Sequence, residues 1–153
     1  MKINEIYLGD CLELMPKFVD DKSIDMIFCD LPYGTTACKW DTIIPFDKLW
    51  SEYERIIKDN GAIVLFASQP FTSNLIMSNT KLFKYDLTWI KERPSNPALA
   101  KKRPLNYKED ICVFYKKQPT YNPQMTLRDE NNKRKNLAQK QVQNWVIVLK
   151  KQE

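Results

Sequence analysis

Residues 27–41 read IFCDLPYGTTACKWD. An apolar run ends in an acid, Leu-Pro-Tyr-Gly turns the chain, and a polar segment with one Trp follows. Pro32 pushes Leu31 away from helix into an extended conformation. Joined to the residues before it, SIDMIFCD (23–30) reads as a β-strand whose last residue is a carboxylate. In a parallel α/β sheet, ligands gather at the carboxyl ends of the strands, so chemistry is expected at Asp30. The Leu31 carbonyl would then point outward beside it, with the Tyr33 ring as neighbour. Two acceptors and an aromatic ring suit a flat group bearing an NH₂, such as a nucleobase amine. A plain strand-to-loop turn is the alternative.

The flanking sequence supplies the layers. IYLGD (6–10) reads as a short strand. Cys11, Leu14, Met15 and Phe18 recur at helical spacing over 11–19. Asp10 stands at the N-cap with Glu13 three residues on, a capping-box pattern. An apolar stripe of Leu49, Trp50, Tyr53, Ile56 and Ile57 predicts a helix over 46–58, which Asn60-Gly61 can end. AIVLFA (62–67) is apolar without alternation, as in a strand covered on both faces. Pro70 suits the first turn of a helix over 70–79. KYDLTWI (84–90) and DICVFYK (110–116) are two further strands, and the proline- and lysine-rich 91–109 between them reads as a loop. This alternation implies an open α/β sheet, parallel over its first strands. Beyond 117 the chain turns polar; RDENNKRKN (128–136) is read as mobile and VQNWVIVLKK (142–151) as an isolated strand.

Composition bounds the function. The 153 residues suffice for one domain, and 43% hydrophobic with 28% charged residues is ordinary for a soluble protein. No apolar run reaches membrane-spanning length and the N-terminus is no signal peptide, so the reading is cytoplasmic. The chain has no histidine, and its four cysteines lack CxxC spacing. This argues against a zinc site or a histidine-based triad, so no metal is expected and the thiols are read as buried or idle. Residues 1–90 carry 9 Lys+Arg against 13 Asp+Glu, net −4, whereas 91–153 carry 15 against 6, net +9. The basic back half suggests a polyanion-facing segment, a solvated basic tail being the alternative.

Asp-Leu-Pro-Tyr resembles the Asp-Pro-Pro-Tyr motif of DNA amino-methyltransferases acting on adenine N6 or cytosine N4. LGDCLELM, SIDMIFCDLPYGTTACKWD, NGAIVLFASQPF and EDICVFYKKQPTYNPQM extend the resemblance to phage- and prophage-type members over residues 1–126. The resemblance implies a Rossmann-like, S-adenosylmethionine-dependent methyltransferase sheet with helices on both faces, acting on DNA. It also implies that Asp30 and the Leu31 carbonyl accept the amine's two N–H bonds, Pro32 fixes the turn, and Tyr33 stacks on a flipped-out base. Attack on the donor methyl follows without a covalent enzyme intermediate. Leu31 replaces the commoner proline at a position used through its backbone oxygen. Asp at the first position points to adenine, since cytosine members more often carry Ser there.

By the same resemblance, Asp10 and the Cys11 N–H bind the cofactor adenine, although a simple helix cap explains Asp10 as well. Gly34–Asp41 is expected to be a mobile loop, with Trp40 as a packing residue rather than a lid contact. Lys101, Lys102 and Arg103 are candidate phosphate contacts, or else part of a solvated loop.

Gly9, Gly34 and Gly61 are the only glycines, so the family's Phe-x-Gly-x-Gly segment has no counterpart. With 29 residues before Asp30, the chain resembles the permuted class in which that segment comes last. It is read as a truncated member: catalytic half 1–126, divergent polar tail 127–153. It then either supplies a methyltransferase site, alone or with a second chain, or is an inactive remnant that folds or binds DNA. In the resembling fold the sheet order is 3-2-1-4-5-7-6, with strand 7 antiparallel. Residues 6–10 would match strand 3, with 24–30, 62–67, 84–90 and 110–116 as strands 4, 5, 6 and 7; strands 1 and 2 are absent. Strand 4 becomes an edge, expected to be covered by 6–10, by the 142–151 segment or by a second copy.

Overall fold

Four strands and three helices account for most of residues 4–125, the part of the chain that the computed structural model describes. Residues 1–121 make one compact unit and 122–153 another; the elements below belong to the first. They are α1 (Cys11–Phe18), β1 (Ile24–Asp30), α2 (Phe46–Ile56), β2 (Ile57–Ala67), α3 (Phe71–Ser78), β3 (Phe83–Ser95) and β4 (Asn106–Phe114). A 3-10 turn, Pro97–Leu99, lies between β3 and β4. The sheet order is β1-β2-β4-β3. β1 and β2 are parallel, and β4 is antiparallel to both β2 and β3. This reproduces the expected 4-5-7-6 portion of the sheet.

The core lies between this sheet and the helices. Leu49, Trp50, Tyr53 and Ile56 of α2 pack with Ile63, Leu65 and Ala67 of β2, with Cys112 and Phe114 of β4, and with Phe71 and Leu75 of α3. The α2 stripe is thus core, as its spacing predicts. Arg55 ties α1 to α2: its guanidinium donates to the Met15 and Val19 carbonyls at 3.1 and 2.9 Å, adding a second donor to Met15, which already accepts the Val19 N–H, at the end of α1.

Several boundaries differ from the sequence reading. Residues 6–10 form no strand, and Ile6 and Leu8 are fully exposed. A strand needs a partner for its backbone groups, and none of the described strands lies beside this segment. Asn60-Gly61 does not cap α2; the helix passes directly into β2, where this pair lies in an irregular stretch of pairing. Gly61 serves close approach instead, since a Cβ there would stand 2.8 Å from the Asp25 carbonyl oxygen. The expected loop 91–109 shrinks to 96–105, because β3 and β4 continue as a two-stranded ribbon past the end of β2. A Lys91–Glu109 ion pair of 2.6 Å joins the two ribbon strands. Pro94 falls where the pairing is irregular, so its missing N–H breaks no regular ladder.

The three helices share one core and therefore one face. The expectation of helices on both faces is met on one face only among the described residues. Right-handed crossovers that proceed in one direction along a sheet place their helices on the same side. The opposite face carries Met26, Phe28, Leu87 and Trp89, all exposed, with Phe66 edge-on to Phe28 and Trp89 at ring separations of 5.2 and 5.7 Å. β1 pairs with β2 alone, so its outer edge has no partner among the described strands. Segment 6–10 does not cover it, and 128–136 and 142–151 lie outside the described residues.

Candidate active site

The carboxyl ends of β1 and β2 lie side by side, with Asp30 opposite Phe66 and Ala67 opposite Asp110. Asp30 is exposed at this edge. The next residue turns inward: the Leu31 side chain is 5% exposed, within the core. Leucine at this position therefore anchors the turn by burial.

Tyr33 stands over the edge. Its hydroxyl donates to Asp30 Oδ1 at 2.7 Å, and its ring lies 5.1 Å from Phe71 at 30°. Burial, followed by the hydrogen bond to Asp30, pushes the phenol well above its ordinary range, so it remains a donor. Asp30 Oδ2 has no hydrogen-bond partner among the described residues.

The loop 34–41 is held by a feature that the sequence reading missed. Asp41, 8% exposed, accepts from the backbone N–H groups of Gly34, Thr35 and Thr36 at 2.8, 2.9 and 2.7 Å, and from the Thr36 hydroxyl at 2.7 Å. Successive N–H groups converging on one anion form a nest. The Thr36 hydroxyl and the Gly34 N–H are the main causes holding this carboxyl at about 2. The loop thus carries an internal anchor. Trp40 is 75% exposed, against the expectation of packing.

A cleft of about 740 Å³ opens beside this loop, lined among others by Tyr33, Thr36, Gln69, Asn96, Arg103 and Glu109. Glu109 comes from β4 of the ribbon and Arg103 from the 96–105 connection at its tip, which brings the basic loop to the cleft that Tyr33 lines. Lys101 and Lys102 are exposed in the same turn but do not line the cleft. Arg103→Ala is expected to weaken DNA binding and to lower the slope of log affinity against log salt by about one contact. Replacing Lys101, Lys102 and Arg103 together should remove up to about three. Anisotropy titrations across a salt series check both, and unchanged slopes would assign these residues to a solvated surface.

Asp10 caps α1, its Oδ1 accepting from the Leu12 N–H at 2.8 Å. Cys11 begins the helix, with its thiol half-buried. Burial raises the thiols of Cys11, Cys29 and Cys112, the last to about 12, which leaves none of the three poised as a thiolate. No cluster of metal-ligating side chains occurs among the described residues, and none of their helices is long and apolar enough to cross a membrane.

Residues 24–152 match the sequence model of the N6/N4 DNA methylases. The chain belongs to the N6/N4 DNA methylase family. The match runs from β1 through the ribbon and includes most of 127–153, set apart by its composition. Among curated relatives, the type II methyltransferase M2.MboI of Moraxella bovis is 28% identical over 138 residues, covering 73% of this chain and 49% of the relative. The chain thus spans about half the length of that methylase.

Solved structures share the fold. M1.HpyAVI in complex with SAM superposes with a TM-score of 0.58 at 19% identity, over 80% of this chain and 60% of that one. The cytosine-N4-specific PvuII DNA methyltransferase gives 0.57 at 16% identity, over 74% and 49%. The methylase sheet is therefore present in part, from β1 outward.

For the methyl donor of such enzymes, the described residues fit one end. The free oxygen of Asp10 and the Cys11 N–H offer an acceptor and a donor suited to an adenine edge. With no paired glycines in the chain, the described residues offer nothing that matches the methionine portion.

Proposed function

We propose that this chain carries the amine-binding half of a DNA methyltransferase that methylates the exocyclic amine of a flipped base, adenine N6. The observation that carries this reading is the pairing of Asp30 and Tyr33 at the carboxyl edge, with Tyr33 lining the cleft and Asp30 Oδ2 left open. S-adenosylmethionine, when bound, supplies the methyl group. The chain's own part is to orient the amine. Asp30 and the Leu31 carbonyl accept its N–H bonds, drawing nitrogen lone-pair density out of the ring. Pro32 keeps that carbonyl extended, and Phe71 backs the Tyr33 ring on which the base stacks. Arg103 holds a neighbouring phosphate. The first-position Asp favours adenine over cytosine. Incubating the chain with S-adenosylmethionine and DNA, then resolving the nucleosides by mass spectrometry, should yield N6-methyladenine; N4-methylcytosine would overturn the adenine assignment.

A second reading has its own observation. Asp10 is already engaged as a helix cap and the chain lacks a glycine pair. On this reading these 153 residues bind DNA without transferring methyl groups by themselves, since they hold no partner for the methionine end. Calorimetric titration with S-adenosylmethionine then shows weak or no binding; submicromolar affinity would refute it.

Both readings use Tyr33 as a platform for an unstacked base. Single-stranded or mismatched DNA should bind better than matched duplex, because unstacking costs a few kcal/mol. Tyr33→Ala should abolish that preference and Tyr33→Phe should keep it, the salt dependence being unchanged in both. Equal losses for the two DNA forms would make Tyr33 a structural residue.

A further inference from the structure

The opposite edge of the sheet holds a second cavity, of about 160 Å³, away from the Asp30 edge. Its floor is apolar, made by Ile57, Ile63 and Leu82 with the Tyr115 ring, and its rim carries Lys22, Lys58, Lys81 and Lys116. Backbone bonds hold the rim: Lys22 N–H to the Arg55 carbonyl at 3.0 Å, Tyr115 N–H to Leu82 at 3.0 Å, and Lys117 N–H to Asp59 at 3.1 Å. The irregular pairing of β2 around 57–61 lies at this cavity, and such irregularities recur beside functional sites.

The charges do not balance. Asp59 is approached by Lys22 at 3.7 Å, Lys116 at 3.5 Å and Lys117 at 3.3 Å, three cations on one carboxylate and none in tight contact. Lys117 and Lys116 hold the Asp59 carboxyl below its ordinary value. Glu54, the other acid of the rim, is engaged by Asn79 at 3.0 Å, and Lys58 is paired with Asp25 at 2.6 Å. Lys81 forms no ion pair among the described residues. Cationic groups above an apolar floor attract anions more strongly than the same groups in open water.

We propose that this cavity is a binding site for a phosphate group borne on a small apolar or planar body, the phosphate meeting Lys22, Lys81 and Lys116 and the body resting on Leu82 and Tyr115. Asp59 is the internal competitor that holds Lys22 and Lys116 when the site is empty, Lys22 donating also to the Glu54 carbonyl at 2.8 Å, while Lys81 stays unpaired among the described residues. The volume, about that of five water molecules, admits one small anion and excludes a duplex.

The test is titration of the chain at low ionic strength with phenyl phosphate, inorganic phosphate and phenol, followed by NMR shifts of Leu82 and Tyr115. Phenyl phosphate should saturate these shifts, inorganic phosphate should bind more weakly, and phenol should not saturate. Lys81→Gln with Lys116→Gln should weaken phenyl phosphate by about tenfold or more, and both positions are exposed, so the fold is retained. Asp59→Asn should tighten it several-fold, an effect that lysines serving only to neutralise Asp59 would not produce. Absence of saturable binding, equal binding of phenol, or indifference to Asp59→Asn would overturn the proposal. DNA affinity of the Lys81/Lys116 double variant should match that of the parent chain; a loss there would assign the lysines to DNA phosphates instead.

Discussion

Asp30→Ala is expected to lower methyl transfer by roughly 10²–10³-fold, the usual cost of removing one preorganised group from a site of developing charge, with DNA affinity unchanged within about twofold. As the amine nitrogen bonds to the incoming methyl it becomes positive, and a carboxylate at the strand end stabilises that charge. Asp30 Oδ2 is open to an amine while Oδ1 is fixed by the Tyr33 hydroxyl at 2.7 Å. Asp30→Asn keeps one acceptor but loses the charge, so it should fall between the parent and Asp30→Ala. Transfer is read as methylated nucleoside, in the presence of any second polypeptide the reaction needs, and binding as anisotropy at fixed salt. Parallel losses in transfer and binding would mean that Asp30 holds the loop rather than the amine.

The second large effect belongs to Asp41. Asp41→Asn replaces a two-oxygen acceptor, which serves four donors, by a carboxamide with one oxygen and two donors of its own. Hydrogen-exchange protection at Gly34, Thr35 and Thr36 should fall at least about tenfold, because N–H bonds to a charged acceptor are among the stronger ones. The carboxyl titrates at about 2 in the folded chain, below its ordinary 3.8. A depressed value of this kind means that the stabilisation is complete above about pH 4 and is lost as pH falls toward 2. Protection in the parent should therefore decline across that window, after correction for intrinsic exchange, while Asp41→Asn stays flat. Because this loop also lines the cleft, Asp41→Asn should reduce methyl transfer as well. Unchanged protection at the three amides would remove Asp41 as the anchor.

The strand leading to Asp30, the α2 stripe and the alternation of strands and helices along the chain were legible because each rests on local periodicity and turn chemistry, whereas the sheet order came from the family resemblance. Pro32 sets the conformation of Leu31, and the spacing of Leu49, Trp50, Tyr53 and Ile56 defines a buried face whatever lies opposite. The Asp-Leu-Pro-Tyr motif marked the candidate site for the same reason, since its residues are contiguous. The extent of β3 and β4 was not legible, because a proline- and lysine-rich segment becomes strand only by pairing across the ribbon, where Lys91 also meets Glu109. Residues 6–10 erred the other way: their pattern is strand-like, but a strand exists only with a neighbour.

By itself, the sequence determined the α/β class, the α2 face that is buried, the carboxylate at the end of β1 and the lack of a glycine-rich turn. Each is a property of residues close together in the chain. Only the tertiary structure decided that Asp41 anchors the loop beside Tyr33, that Arg103 but neither Lys101 nor Lys102 reaches the cleft, and that one sheet face carries no helix among the described residues. The last two depend on contacts between residues far apart in the chain, and the Asp41 anchor, though only five to seven residues from its donors, depends on a loop conformation that no periodicity encodes.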